Sequence, residues 1–220
     1  MGDKVPERNT SCSDASLQIL AWARKLQAVA QTGLTYTKDA YDSERYRTLQ
    51  QLAAEMMAAS SSTIPPANLV DLFRSEIGYA TPKIDVRAAV FFQDRILLVK
   101  ERSDGGWTLP GGWADVGETP SFSVVREVKE ESGYDVVARK IAAVYDRDLH
   151  GHPPTVYHTY KLFFLCELAG GSPQTSFETE AVSFFPEDNI PPLSLSRVTP
   201  TQIAHLFEHY RHPEWPTSFD

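Results

Sequence analysis

The chain has no apolar run that approaches the length needed to cross a bilayer, so a membrane-spanning segment is not expected. It has only two cysteines, Cys12 and Cys166, which form neither a metal-binding spacing nor a disulfide framework. Cys166 lies in a strand-like run and reads as a small buried hydrophobe. The opening, MGDKVPERNTSCSD, lacks the apolar core of a secretory signal, and a cytoplasmic setting is the default expectation. Positive charge is also scarce. The formal net charge is −8 and no basic stretch is interleaved with aromatics, so nucleic acid is not expected as the main partner. Internal repeats and long low-complexity segments are absent. What remains is a globular composition, 42% hydrophobic over 220 residues, enough for one large domain or two small ones.

The periodicity changes along the chain. Residues 14–78 read as helical. Leu17, Leu20, Ala21 and Ala28 recur at helical spacing, with Gly33 as a stop. Ser43 is placed to cap a second helix carrying Leu49, Leu52, Ala53, Met56 and Met57, broken by the Ser- and Pro-rich stretch 60–66. A third helix carries Leu69, Leu72, Phe73 and Ile77 and ends at Gly78. From Ile84 short apolar runs take over: 85–92 and 96–99 around Gln93-Asp94-Arg95 as a hairpin, then 136–144, 157–168 and 181–185. Thr199-Pro200 starts a last helix with Ile203, Leu206 and Phe207 on one side. The predicted division is a small all-α domain over residues 1–80 and an α/β domain over residues 81–220, an α/β/α sandwich with a mixed sheet.

The segment from Gly112 to Tyr134, GWADVGETPSFSVVREVKEESGY, carries the chemistry. Thr119 is a candidate N-cap, Pro120 fits the first helical position and Gly133 the stop. On that helix Glu127, Glu130 and Glu131 fall at i, i+3 and i+4, on one face. Three carboxylates so placed repel one another unless a cation sits among them, and hard oxygen donors suit Mg²⁺ or Mn²⁺. The loop Leu109-Pro110-Gly111-Gly112 before the helix allows close backbone approach to a metal or a pyrophosphate. Metal next to a glycine-rich loop points to phosphate chemistry.

These residues resemble the Nudix box, G-x5-E-x7-R-E-U-x-E-E-x-G-U with U bulky and apolar. Gly112, Glu118, Arg126, Glu127, Val128, Glu130, Glu131 and Gly133 match in place; Tyr134 is aromatic where an aliphatic is usual. The helical N-terminal stretch, Asp85-Val86-Arg87, the run from Tyr157 to Leu162 and Leu195-Ser196-Arg197-Val198-Thr199 resemble the subgroup that acts on X-linked nucleoside diphosphates, with CDP-choline pyrophosphatase its type.

The resemblance implies hydrolysis of a pyrophosphate bond, CDP-choline giving CMP and phosphocholine, with ADP-ribose and UDP-sugars as close competitors. RNA-end processing and a non-catalytic nucleotide-binding module are the readings from other classes. It implies Mg²⁺, with Mn²⁺ as substitute, held by Glu127 and Glu131. Glu130 is a third ligand or positions a metal-bound water, and the Gly111 carbonyl is a backbone ligand. Arg126 orients an acid of the box, Glu127 first. Glu118 braces the loop or holds a second metal through water. The general base is an acid of the box or one from a distant loop, where Glu178 and Glu180 are the candidates. Arg87 and Lys161 are expected to contact phosphate. Trp113, Tyr145 and Tyr157 either stack on a base or pack. His150, His152 and His158 lack a zinc spacing and read as loop residues. A homodimer is implied, and Ile19, Trp22, Ala23, Leu26 and Val29 give the first helix more apolar surface than a small domain can bury alone. Because the box does not discriminate between bases, Tyr36, Tyr41, Arg45 and Tyr46 in the helical domain are specificity candidates.

Overall fold

The computed structural model describes residues 14–60 and 65–220. Cys12 and residues 61–64 of the expected helix break lie outside the described residues. The chain divides into two compact units, Met1–Thr81 and Pro82–Asp220.

Among its described residues the first unit holds three helices: α1 (Asp14–Tyr36), α2 (Ala40–Ser60) and α3 (Pro66–Ser75). Small side chains let α1 and α2 approach closely. Ala23, Ala30, Ala53 and Ala54 are fully buried, with Leu20, Met57, Leu69, Val70 and Phe73 around them. Gly33 does not stop α1, which runs on to Tyr36. A Cβ at Gly33 would sit 2.4 Å from the Tyr46 ring, so the glycine serves packing. Likewise α2 begins before Ser43, where the Asp39 carboxylate accepts a hydrogen bond from the Asp42 N–H at 2.9 Å. Trp22 and Val29, seven residues apart on α1, remain more than half exposed.

The second unit is built on a mixed sheet of β1 (Lys83–Phe92), β2 (Arg95–Glu101), β3 (Trp107–Thr108), β4 (Tyr134–Asp146), β5 (Thr159–Gly171), β6 (Thr179–Pro186) and β7 (Ser218–Phe219). The order is β3-β2-β1-β5-β4-β7, with β6 on β2. β1 and β5 run parallel; β1 with β2 and β4 with β5 run antiparallel. Gln93 and Asp94 adopt φ of 49° and 57°, the left-handed pair a tight hairpin turn demands.

Two helices cover the sheet. α4 (Pro120–Ser132) sets Val124 and Val128 against Val86, Ala88, Val90, Leu97 and Phe164. α5 (Pro200–Arg211) sets Ile203, Leu206 and Phe207 against Ala89, Ile96, Leu98 and Phe163. The period-2 alternation of β1 thus feeds both layers of the sandwich. Caps fix both helices: Thr119 accepts from the Phe122 N–H, Gly133 ends α4 at φ 77°, and Thr199 with Gln202 forms a capping box on α5. Among the described residues no helix is long and apolar enough to cross a membrane.

Candidate active site

The odd-numbered positions of β1 share one face, so Asp85 and Arg87 follow the line of Ala89, and Lys161 on β5 lies on the face of Phe163. At this end of the sheet charge replaces the core. Arg87 donates to Asp85 through Nε and Nη2 at 2.9 and 2.8 Å and to the Leu109 carbonyl at 3.1 Å; Lys161 Nζ meets Asp85 Oδ1 at 2.5 Å. Lys161 is 1% exposed and the other two are buried. Burial opposes the Asp85 charge, but its two cationic neighbours win and hold the carboxyl at about 2. Lys161 is drawn down to about 8, because burial and Arg87 outweigh the one carboxylate it touches.

The glycine-rich loop runs beside β1, with Ala88 N donating to Pro110 O, Val86 N to Gly112 O and Ala114 N to Ile84 O. Gly111 has φ 142°, and a Cβ there would come within 2.0 Å of the Val86 carbonyl, so glycine is obligatory. The loop meets α4 where the Gly111 N–H donates to Glu131 Oε2 at 2.9 Å. Glu131 is 6% exposed, and burial, only partly offset by Arg87 and this hydrogen bond, pushes its carboxyl up to about 8. Glu127 is raised too, by burial first.

These elements enclose a cleft of about 940 Å³. Arg87, Lys161, Gly111, Glu127, Glu130, Glu131 and Arg126 all line it. The geometry separates the expected residues. Glu180 does not open onto the cleft: it is bound to Lys100 at 2.5 Å on β6, while Glu178, two residues earlier, lines the wall. Strand alternation alone would put residues 178 and 180 on one face; Glu180 falls instead at the register shift between Lys100 and Glu101, where β6 pairs with β2. Tyr157 stands outside the lining and packs edge-to-face on Trp113. Tyr145 is a core residue stacked on His150. Glu118 is likewise outside, taking Arg126 Nε at 3.0 Å and the Ser123 hydroxyl at 2.6 Å, so it braces loop to helix. Arg126 is shared rather than dedicated to Glu127: besides Glu118 it reaches Glu130 at 2.9 Å, Glu127 at 3.1 Å and Asp115 at 3.3 Å. Gly111 contributes its N–H to Glu131.

Among the described residues no three acids, histidines or cysteines are gathered as a metal cage. Arg126 draws Glu130 to the surface, and Glu131 turns to Gly111. The donor set nonetheless fits a divalent cation. Glu131 is a buried carboxylate whose charge the protein leaves undercompensated, Glu127 lies next to it, and a Cβ at Gly112 would come 3.2 Å from Glu127 Oε1.

Sequence reasoning passed over Asp85 as a site residue, although its two-residue spacing from Arg87 signals a shared face. It also missed Glu101 and Arg197, paired at 3.1 Å, Arg147, and Phe177, all in the cleft wall. Glu101, Arg147 and Phe177 come from a strand end and loops with no local pattern, whereas Arg197 lies in the 195–199 run that resembles the subgroup. His152 is held by the Leu195 carbonyl at 2.8 Å, and burial lowers it to about 4.

Comparison with known proteins gives the family. Residues 17–73 match the model of a UDP-X-like, N-terminal oligomerisation domain, and residues 82–206 match the NUDIX domain. The chain is 48% identical over 198 residues to "Putative ADP-ribose pyrophosphatase YjhB" of Bacillus subtilis, covering 90% of this chain and 95% of that one. Among solved structures it is similar to an ADP-ribose pyrophosphatase from Streptococcus suis, at 46% identity and TM-score 0.60 over 64% of this chain and all (100%) of that one. It is also similar to a UDP-X diphosphatase, at 30% identity and TM-score 0.60 over 93% of this chain and 99% of that one. With Gly112, Arg126, Glu127, Glu130 and Glu131 of the box lining one charged cleft and a family match over most of the second unit, the chain belongs to the Nudix family and is a Nudix pyrophosphohydrolase.

Proposed function

We propose that the protein adds water across the pyrophosphate of a nucleoside diphosphate linked to a second moiety, with ADP-ribose as the first substrate to test and UDP-linked compounds next. ADP-ribose would yield AMP and ribose 5-phosphate. The observation that carries this reading is the cleft itself, where the Glu127–Glu130–Glu131 face of α4 and the Gly111–Gly112 loop border the Asp85–Arg87–Lys161 floor. ADP-ribose ranks above CDP-choline because the names of two similar proteins carry it.

Glu127, Glu130 and Glu131 would hold Mg²⁺, with Mn²⁺ as substitute. When bound, the cation neutralises the pyrophosphate and lowers the pKa of water. The protein's own residues do the rest. Arg126 fixes Glu118 and Glu130 and so sets the loop against the helix. Arg87 and Lys161 present positive charge to phosphate from a floor that Asp85 keeps rigid. Glu178, on the loop before β6, accepts the proton of the attacking water. The test is a hydrolysis panel with Mg²⁺: ADP-ribose, UDP-sugars, CDP-choline, nucleoside triphosphates and short RNA. Turnover confined to triphosphates or RNA would refute the assignment.

The helical unit supports a homodimer. It matches an oligomerisation domain, and α1 leaves Trp22 and Val29 uncovered. Sedimentation at low micromolar concentration should give twice the 24.6 kDa chain mass; a monomer alone would refute it.

A further inference from the structure

Two large aromatic side chains reach the cleft yet pack poorly: Trp113, 51% exposed, and Phe177, 87% exposed. Neither contributes to a hydrophobic core cluster. An exposed tryptophan is ordinary on a surface, but this one is held firmly. Its backbone bridges to Asp85 on β1, and the residues either side of it are hydrogen-bonded to the same strand, Gly112 O accepting from Val86 N at 2.8 Å and Ala114 N donating to Ile84 O at 3.0 Å. Its indole meets the Tyr157 ring in a T-shaped contact, centroids 6.4 Å apart and planes at 80°, which leaves at least one indole face clear of the phenol. Tyr157 is braced in turn by Lys83, whose Nζ lies 5.4 Å from its ring centroid.

Phe177 sits on a loop tied to the catalytic helix. Gln174 N donates to Ser132 O at 2.9 Å, Thr179 Oγ1 to Glu131 O at 2.9 Å, and Ser176 N to Thr179 Oγ1 at 3.0 Å. The loop is therefore fixed while the phenyl it carries has no packing partner among the aromatic contacts of the described residues.

We infer that Trp113 is the stacking platform for the nucleobase of the substrate, with Phe177 a second aromatic contact on the cleft wall. This deepens the proposed function and rests on it. Trp113 follows directly on the Gly111–Gly112 loop, so a nucleotide whose phosphates lie at that loop has its base within reach of the indole. Stacking is indifferent to the identity of the base, because every base has a π face. The platform thus supplies affinity for nucleoside diphosphate compounds as a class and leaves the choice among bases to hydrogen bonds elsewhere.

The experiment compares wild type, Trp113→Ala, Trp113→Phe and Phe177→Ala on the best substrate of the panel and on an analogue with hydrogen in place of the base. The readout is the ratio of kcat/KM for the two substrates. In Trp113→Ala this ratio should fall on the order of tenfold, mostly through KM, with a smaller fall in Trp113→Phe and Phe177→Ala. The fall should be similar for adenine- and uracil-bearing substrates. Independently, AMP should quench indole emission in wild type and not in Trp113→Phe, which keeps the ring packing if the alanine variant fails to fold. An unchanged ratio, or equal quenching in Trp113→Phe, overturns the inference while leaving the pyrophosphatase reading standing. If wild type cleaves no nucleoside diphosphate compound, the functional reading falls first and this inference falls with it.

Discussion

Replacing Glu131 with glutamine should stop turnover and stabilise the metal-free protein at the same time. The side chain is buried against the Gly111 loop, and the carboxyl is pushed from 4.5 to about 8, chiefly by burial. A carboxyl whose folded pKa is raised contributes stability that is intact below 4.5 and is lost as pH rises through about 8. At pH 7 the metal-free fold therefore carries a cost on the order of 3 kcal/mol, from the gap between 4.5 and 7 at about 1.4 kcal/mol per pH unit. Glutamine does not titrate, and its amide oxygen can accept the same Gly111 N–H. The metal-free melting temperature should rise on the order of 5–10 °C, at roughly 2–4 °C per kcal/mol for a chain of this size. Added Mg²⁺ should raise the melting temperature of wild type and leave the variant nearly unmoved, because only a ligand that binds the folded state stabilises it. Turnover of the best panel substrate should fall on the order of 100-fold or more. The assays are scanning calorimetry with and without Mg²⁺, and steady-state kinetics at saturating metal. Activity within a few-fold of wild type, or a lower metal-free melting temperature, would refute the argument.

Three other outcomes are expected. Glu178→Gln should lower kcat on the order of 100-fold while Glu180→Gln stays within about threefold, since Glu180 is occupied by Lys100; the reverse order in kinetics would return the base to Glu180. Asp85→Asn leaves Arg87 and Lys161 as buried like charges and should cost roughly 3–5 kcal/mol in denaturant unfolding; a loss below about 1 kcal/mol would mean the floor is wetter than its burial indicates. His152 is depressed by burial to about 4, so below its ordinary 6.5 the unfolded chain takes up a proton that the folded chain refuses. The contribution of His152 to stability should fall from pH 6.5 toward 4, against the rise that protonation of Glu131 gives on the way down to 4.5, so the melting temperature of His152→Gln should gain on that of wild type as pH drops through this range; a difference that stays constant with pH would refute this.

Trp113, Tyr145 and Tyr157 show where local reading ends. All three are aromatics near the expected site, and sequence alone does not separate them. Tyr145 is pulled into the core by Phe163 and His150, Tyr157 supports its neighbour from outside the cleft, and Trp113 faces the cleft. The same holds for Glu178 and Glu180. Both sit in one short run, and only the pairing of β6 on β2, with its shift at Lys100/Glu101, decides which carboxylate meets the cleft and which meets Lys100.

The sequence by itself determined what acts within a few residues: the α4 helix between Thr119 and Gly133, the shared face of its three glutamates, the helical and strand halves of the chain, and the family. Caps, periodicity and glycine geometry are local physics and are written in local residues. Tertiary structure decided what depends on partners distant in the chain. Asp85 joins Lys161 across two parallel strands, Arg126 divides itself among four carboxylates, and Arg147, Phe177 and Arg197 meet in one wall from three separate segments. Strand order, register and the close approach of the Gly111 loop to β1 set those meetings, because a charge is moved or held by the nearest charge in space, whatever its place in the sequence.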